Sequence, residues 1–549
     1  TGYENGRWQP GLSWTRNDTL DDWIYNLSLS AFQSERKSES TTHIASENAL
    51  GASSVTDEVS ESIDKRSGVH ATGRLQWKGE RGNSLVLMPL LIYTDTDSTR
   101  TTQYSGDSPY DHSDGSVTGH YALGRLNGQW NTSIEGAGRI ELKGGVSQGR
   151  WDGRTLRHDR DANGQELNLY DDINSSRDKA STLGAKYTAV LDNGHSLVAG
   201  SELENNQRSE QHTEADDSGD DFSARAFRVA VYAQDEWSLT PQWALHLGLR
   251  WEGIETRSDV APTDTSAGIE VKNRSSVWTP LLHAVWKPDP KGSDQLRMSL
   301  TRSYRSPSLQ NLIARHKEAI INSPTSPDRE GNPDLKPELA TGLDVAIERY
   351  LPGSGILSAN VFYRNISDYM RSVTHLDPVT GRYVSQVQNI GDAVTQGLEL
   401  EAKFRLNDVV AGAPAIDFRT NASFFHSRVK DVPGPNNRID QQPDGTLNLG
   451  ADYRVRGTPF TLGGNLNWTP GYTTRASDTL SLEQGAKTVG DAYVLCVLNP
   501  GAQLRLTASN FAPRDYLTGS SYQSPDAREI SQTNAPSYIN WQLRLELKL

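Results

Sequence analysis

The 549-residue chain has a single cysteine, Cys496, and only three methionines. One thiol cannot form an intrachain disulfide, and no metal-ligand spacing surrounds it. Long apolar runs are equally scarce. The longest, 85–93, contains Pro89 and falls far short of the roughly 20 apolar residues that a membrane helix needs. Helical periodicity is missing over any useful length, so neither a transmembrane helix nor a helical core is expected. Excess positive charge is lacking too, and a net charge of −14 argues against general nucleic-acid binding. No Gly-x-Ser-x-Gly, His-Glu-x-x-His or phosphate-binding Gly-Lys-Ser/Thr motif occurs. The expectation is a non-enzyme with no catalytic residue, no resident cofactor and no metal centre. The acidic run with Asp216, Asp217, Asp220 and Asp221 could hold calcium, but a solvated loop tip is the stronger reading.

What the chain does have is alternation. From Tyr538 onward, Ile539, Trp541, Leu543, Leu545, Leu547 and Leu549 take one face; Asn540, Gln542, Arg544, Glu546 and Lys548 take the other. A strand sends successive side chains to opposite sides, so this ribbon has one apolar and one hydrophilic face. The pattern recurs in 243–252 and in 396–406, where Leu398, Leu400 and Phe404 oppose Glu399, Glu401, Lys403 and Arg405. Weaker strands read at 67–79, 84–96, 117–130, 134–148, 178–191 and 195–208. A barrel strand crosses a bilayer in about 9–11 residues with only every second one apolar. A hydrophobic content of 35% is therefore compatible with a membrane barrel. The 47 glycines, 13 tryptophans and 20 tyrosines suit turns and interfacial aromatic belts.

The connections between these strands alternate in length. Short ones fall at 78–83, 191–195, 240–242, 288–293, 352–355 and 499–501. Long, polar ones fall at 37–66, 97–116, 149–177, 209–222, 258–274, 306–336 and 513–533. A soluble sandwich has no reason to sort loop length by end, whereas an outer-membrane barrel has short periplasmic turns and long extracellular loops. The fold class read from this is an all-β, antiparallel, up-and-down transmembrane β-barrel. About 21 strands are visible, the first near 6–15, against the 22 of the large plugged barrels. An odd count would leave an open edge in lipid, so one strand is expected to be missing before Thr1.

Four segments, in order, resemble the TonB-dependent outer-membrane receptors, which import ferric siderophores, heme and other scarce nutrients. Ala230-Val-Tyr-Ala-Gln-Asp-Glu-Trp237, followed by Trp243 and Gly248-Leu-Arg-Trp-Glu252, is similar to their mid-barrel hairpin. Tyr304-Arg-Ser-Pro307 with Gly331-Asn-Pro-Asp-Leu-Lys-Pro-Glu338 resembles a recurring loop and strand start. Asn389-Ile-Gly391 with Gln396-Gly-Leu-Glu-Leu-Glu401, and Leu504-Arg-Leu-Thr-Ala-Ser-Asn510, resemble two further strands. The resemblance covers residues 230–549. It implies an integral protein of the bacterial outer membrane, surrounded by lipopolysaccharide and other outer-membrane lipids. It also implies import of a ferric siderophore powered by TonB–ExbB–ExbD through an N-terminal plug. Two departures stand out: nothing before Trp8 could form that plug or its TonB motif, and the last residue is Leu549 where the family usually ends in an aromatic. The expectation is a barrel, 1–549, separated from its plug and first strand. A heme importer of the same family and a passive porin, constricted by its own inward loop, are the alternatives.

Loop 306–336 and the strand end before it supply the first ligand candidates, Tyr304, Arg305, Arg315, His316 and Lys317, because an anionic ferric chelate calls for positive charge and aromatic surface at the mouth. Heme importers of the family carry a histidine between boxes similar to 304–307 and 332–335, where His316 stands here. The second group is Trp151, Arg154 and Arg157 in 149–177, whose basic residues are matched by acidic ones, so salt bridging within the loop is the stronger reading. Inward charges such as Glu399, Lys403, Arg405 and Arg544 are expected to line a wet lumen.

Overall fold

A computed structural model of the chain describes residues 1–549 except 215–218, 263–268, 313–315, 352, 354 and 549. Asp216, Asp217 and Arg315 lie outside the described residues. One antiparallel sheet contains 27 strand segments, and a second contains four short ones. Five pairs of consecutive segments are pieces of one bent strand, which leaves 22 staves. These are Arg7–Gln9 with Gly11–Leu20, Phe460–Thr469 with Tyr472–Arg475, Leu480–Gln484 with Lys487–Asn499, Ala502–Ser509 with Tyr516–Gln523, and Ala527–Ala535 with Asn540–Leu547. Neighbours in sequence pair in the sheet, and the last stave pairs back to Gly2–Glu4, so the sheet closes into a barrel.

The first stave is a stub. Gly2–Glu4 turns at Asn5 and Gly6, whose φ angles of 44° and 78° are those of a tight hairpin turn. Above the stub, Ala527–Ala535 pairs directly with Trp23–Asn48. Below Thr1, the free edges of Gly11–Leu20 and of the strand after Leu543 have no ladder partner among the described residues. The sequence predicts about 21 strands with one missing before Thr1; the barrel has 21 longer staves and this short one, which lies within the chain.

Apolar side chains form an outer belt. On Asn540–Leu547, Trp541, Leu543, Leu545 and Leu547 are all exposed, while Arg544 and Glu546 pair at 2.8 Å on the opposite face. Aromatic residues bracket the belt at a constant spacing. Phe460 and Trp468 share one strand and Trp278 and Trp286 another, each pair eight positions apart. That interval matches the roughly 9–11 residues of a tilted spanning strand. Glu399 accepts a hydrogen bond from Asn360 Nδ2 at 3.0 Å, and Arg405 pairs with Asp417 at 2.9 Å, on the polar lumenal face.

The long connections are corrected by the structure. Segments 37–66, 97–116, 149–177, 209–222, 258–274 and 513–533 read as loops from sequence, but their described residues are mostly strand. Trp23–Asn48 and Ser53–Lys78 run 26 residues each and continue as one hairpin far beyond the belt. Outside lipid both faces of a strand meet water, so the period-two signal vanishes although the ladder persists. Cross-strand pairs hold it instead: Ser38 with Ser62 at 2.7 Å, Ser46 with Ser54 at 2.7 Å, Lys37 with Glu61 at 2.9 Å. On the other side of the ring the strands stop near the belt. Gln295–Arg305 has 11 residues and Gly445–Arg454 has 10.

Candidate functional site

The low side of the rim sends a strap across the mouth. After Arg305 the chain makes a short helix, Leu309–Leu312, and then a strand, His316–Lys317, which pairs with Asp328–Glu330. Asp328–Glu330 in turn lies parallel to Tyr383–Asn389, which pairs with Met370–Leu376. This four-stranded sheet carries the tip, 319–327, to the opposite wall. There Ser323 Oγ donates to Glu529 Oε1 at 2.7 Å, and the Thr325 N–H and hydroxyl donate to the same oxygen. Glu529 lies on Ala527–Ala535, about half a ring away from the strap's root by stave order.

Two anchors fix the strap, and a third fixes the 370–389 hairpin beside it. Asp328 is fully buried; it accepts two hydrogen bonds from Arg382, at 2.6 and 2.8 Å, and one from the Ala319 N–H at 2.8 Å. The Arg382 guanidinium holds this carboxyl well below the usual carboxylate range, against the opposing effect of burial. Glu338 accepts from Arg305 Nη2 at 2.6 Å and from the Met370 N–H, tying the strap's return limb to the neighbouring hairpin. Arg371, almost wholly buried, donates to the carbonyls of Arg438, Arg475 and Ala476 and pairs with Asp440 at 2.8 Å. Leu312, Leu335 and Met370 form an apolar cluster beneath. Asn332 Nδ2 donates to the Val387 carbonyl at 2.9 Å, so the 331–338 box serves as the strap's hinge seat.

Between the strap and the tall wall lies a cavity of about 810 Å³. Its wall side is built from alternate residues of the tall strands, among them Thr42, Thr56, Glu58, Arg100, Thr102 and Arg157; its roof is 317–329. Tyr104 also lines it, and burial pushes that phenol up to about 12. Of the residues expected here, Lys317 and Arg157 do line this cavity. His316 stands beside it, with Nε2 3.2 Å from Asp328. Arg305 is spent on Glu338. Tyr304 points instead into a second cavity of about 610 Å³, where its hydroxyl donates to Glu252 in a lumenal network with Arg228. Arg154 is on the outer face, paired with Asp171, and the Trp151 ring covers Gly153, where an added methyl would meet it at 2.7 Å. Those two residues do not join the site. Arg100, Asp328, Arg382 and Glu529 belong to it and were missed, because only the fold brings together residues as far apart in sequence as Arg100 and Glu529.

A closed 22-stave barrel with an aromatic-edged apolar belt and a polar interior is a large outer-membrane transporter type. The profile of the family described as TonB dependent receptor-like, beta-barrel, matches residues 57–544. The chain belongs to this family and is an integral outer-membrane protein. It is 23% identical over 342 residues to the probable TonB-dependent siderophore receptor PiuA of Acinetobacter baumannii, covering 58% of this chain and 41% of that one. It thus spans less than half the length of that curated relative. Among solved structures, the ferric citrate transporter FecA aligns with a TM-score of 0.57 at 13% identity, over 91% of this chain and 78% of that one. The copper transporter OprC aligns at 0.56 and 13% identity, over 93% and 85%. The siderophore receptor PiuA from Acinetobacter baumannii aligns at 0.53 and 13%, over 94% and 86%.

Proposed function

We propose that the chain is the barrel of a receptor that binds a ferric siderophore at its outer mouth and imports it with energy delivered through TonB. The observation that carries this reading is the strap-roofed cavity on the extracellular side of a barrel of this family. A plug joined to this barrel, and the ExbB–ExbD partners of TonB, belong to the same proposal, as does contact of the outer belt with lipopolysaccharide. An inward strap is also what a passive porin would show. The two differ in energy dependence. Iron-starved cells making the receptor should accumulate radio-iron from a ferric chelate and stop when the inner-membrane proton gradient is dissipated. Uptake indifferent to that gradient would make the barrel a passive channel. Heme as cargo would require His316 to leave Asp328, and Asp328→Asn, which loosens that contact, should then change heme binding.

A further inference from the structure

The cavity under the strap has a distinctive chemistry. Hydroxyl groups dominate its wall, from Thr42, Ser54, Thr56, Thr102, Ser113 and Ser531. Tyr104 is the one aromatic side chain among the described residues lining it, and it is buried. Aromatic ligands such as catechols are usually held by stacking on exposed rings or by cations against them, and this wall offers no such ring.

The lining carries four cationic and four carboxylate side chains, but few of them pair with one another. Arg100 reaches in from the tall wall and donates to Ser60 Oγ at 3.2 Å, and it has no carboxylate within 4 Å among the described residues. Lys317 and Arg329 enter from the strap and likewise pair with no carboxylate there. Of the four carboxylates in the lining, Glu529 is occupied by three strap donors, Asp107 accepts from the Val55 N–H at 2.8 Å, Glu318 is exposed and lies 3.9 Å from Arg382, and burial pushes Glu58 up toward its neutral form. Three cations, Arg100 from the wall and Lys317 and Arg329 from the strap, therefore face the cavity from both sides without an ion-pair partner among the described residues, in a setting rich in groups that can donate or accept single hydrogen bonds.

We propose that this cavity takes a ferric complex of an α-hydroxycarboxylate, such as citrate, in preference to a catecholate. The free carboxylate and hydroxyl oxygens of such a complex are numerous, small and negatively charged. Arg100 would meet them from the wall and Lys317 and Arg329 from the roof, with the threonine and serine hydroxyls completing the shell. A cavity of about 810 Å³ holds a complex of two citrates around one iron with room for bridging water. Because the cations come from both wall and strap, the anion would bind the strap to the wall.

This rests on the ferric-importer reading, and the test separates the two. The full chain in detergent is titrated with ferric dicitrate, with a ferric tris-catecholate and with a neutral ferric hydroxamate, using tryptophan fluorescence. Ferric dicitrate should bind most tightly, and Arg100→Gln should weaken it at least about tenfold while Arg100→Lys recovers part of the loss. Heat-modifiable mobility checks that each variant is a folded barrel. Preference for the catecholate, or a folded Arg100→Gln variant with unchanged ferric dicitrate affinity, overturns the hydroxycarboxylate assignment and leaves the importer reading standing. Binding of none of the three chelates overturns the importer reading itself.

Discussion

The two halves of the rim solve the same problem in opposite ways. From Trp23 to Pro262 the strands run 20 to 26 residues and stand as a wall above the membrane belt. From Gln295 onward most end close to the belt, and the chain spends its length on the strap 306–336 and the hairpin 370–389. The tall half is held by a continuous ladder in which each contact is repeated many times. The low half is held by a few singular contacts, Asp328 with Arg382, Glu338 with Arg305, Glu529 with the strap tip. Redundancy makes a scaffold. Singular contacts make a part that can move, because losing one frees a whole segment.

The largest effect should come from removing the low half's contribution outright. Replacing 306–336 by a short glycine-serine turn leaves the barrel ladder intact but uncovers the lumen, which in so wide a barrel is too large for side chains to fill. Single-channel conductance in planar bilayers should rise severalfold, and ferric-chelate binding should be lost. Unchanged conductance would mean that the strap does not limit passage.

Next in size is Arg382→Ala. It strands a fully buried carboxylate, and breaking such a pair costs about 3–5 kcal/mol. Hydrogen exchange in 316–330 should accelerate by two or more orders of magnitude while the tall strands keep their protection. Equal acceleration in both halves would show that strap and wall unfold as one unit, which would break the comparison.

The pH dependence follows from the same pair. Asp328 is held below its ordinary value, so its stabilising effect is complete above the usual carboxylate range and is lost as pH falls through the depressed folded value. Strap exchange, corrected for intrinsic rates, should be flat from neutral pH down to about 4 and rise only below it. A rise beginning near neutral pH would assign the anchor to another group.

How much of this could be read from the sequence depended on where lipid was. Within the belt, one face meets hydrocarbon and the other water, so alternation was legible there, and 396–405 and 540–547 of the alternating segments are strand. Above the belt nothing distinguishes the faces. Ser38, Ser46, Ser54 and Ser62 look like loop residues, and only the paired ladder shows that they are strand. The strap was legible as a long connection but its destination was not, since Glu529 carries no local mark of its role. Counting gave about 21 strands and placed the missing one before Thr1, whereas a short stave at Gly2–Glu4 lies within the chain, too short to show alternation. The face a side chain takes was equally hidden: Arg154 lies on the outer side with Asp171, whereas Trp151, on the same face as Arg157 by strand alternation, lies over Gly153.

The smallest effect should belong to the tall half. Ser46 bonds Ser54 across the hairpin at 2.7 Å and lines the cavity wall, yet it is one rung among more than twenty in that pairing. Cross-strand hydroxyl pairs contribute about 0.2–1 kcal/mol, and the backbone ladder around them is untouched by a side-chain change. Ser46→Ala should therefore alter local amide exchange by at most about fivefold, confined to the hairpin tip around residues 49–52. The strap should not respond at all, because its landing residue, Glu529, keeps its three donors. If Ser46→Ala instead loosened 319–327 as strongly as Arg382→Ala does, the tall wall would be a working part of the gate, and the division between a redundant scaffold and a singly anchored strap would not hold.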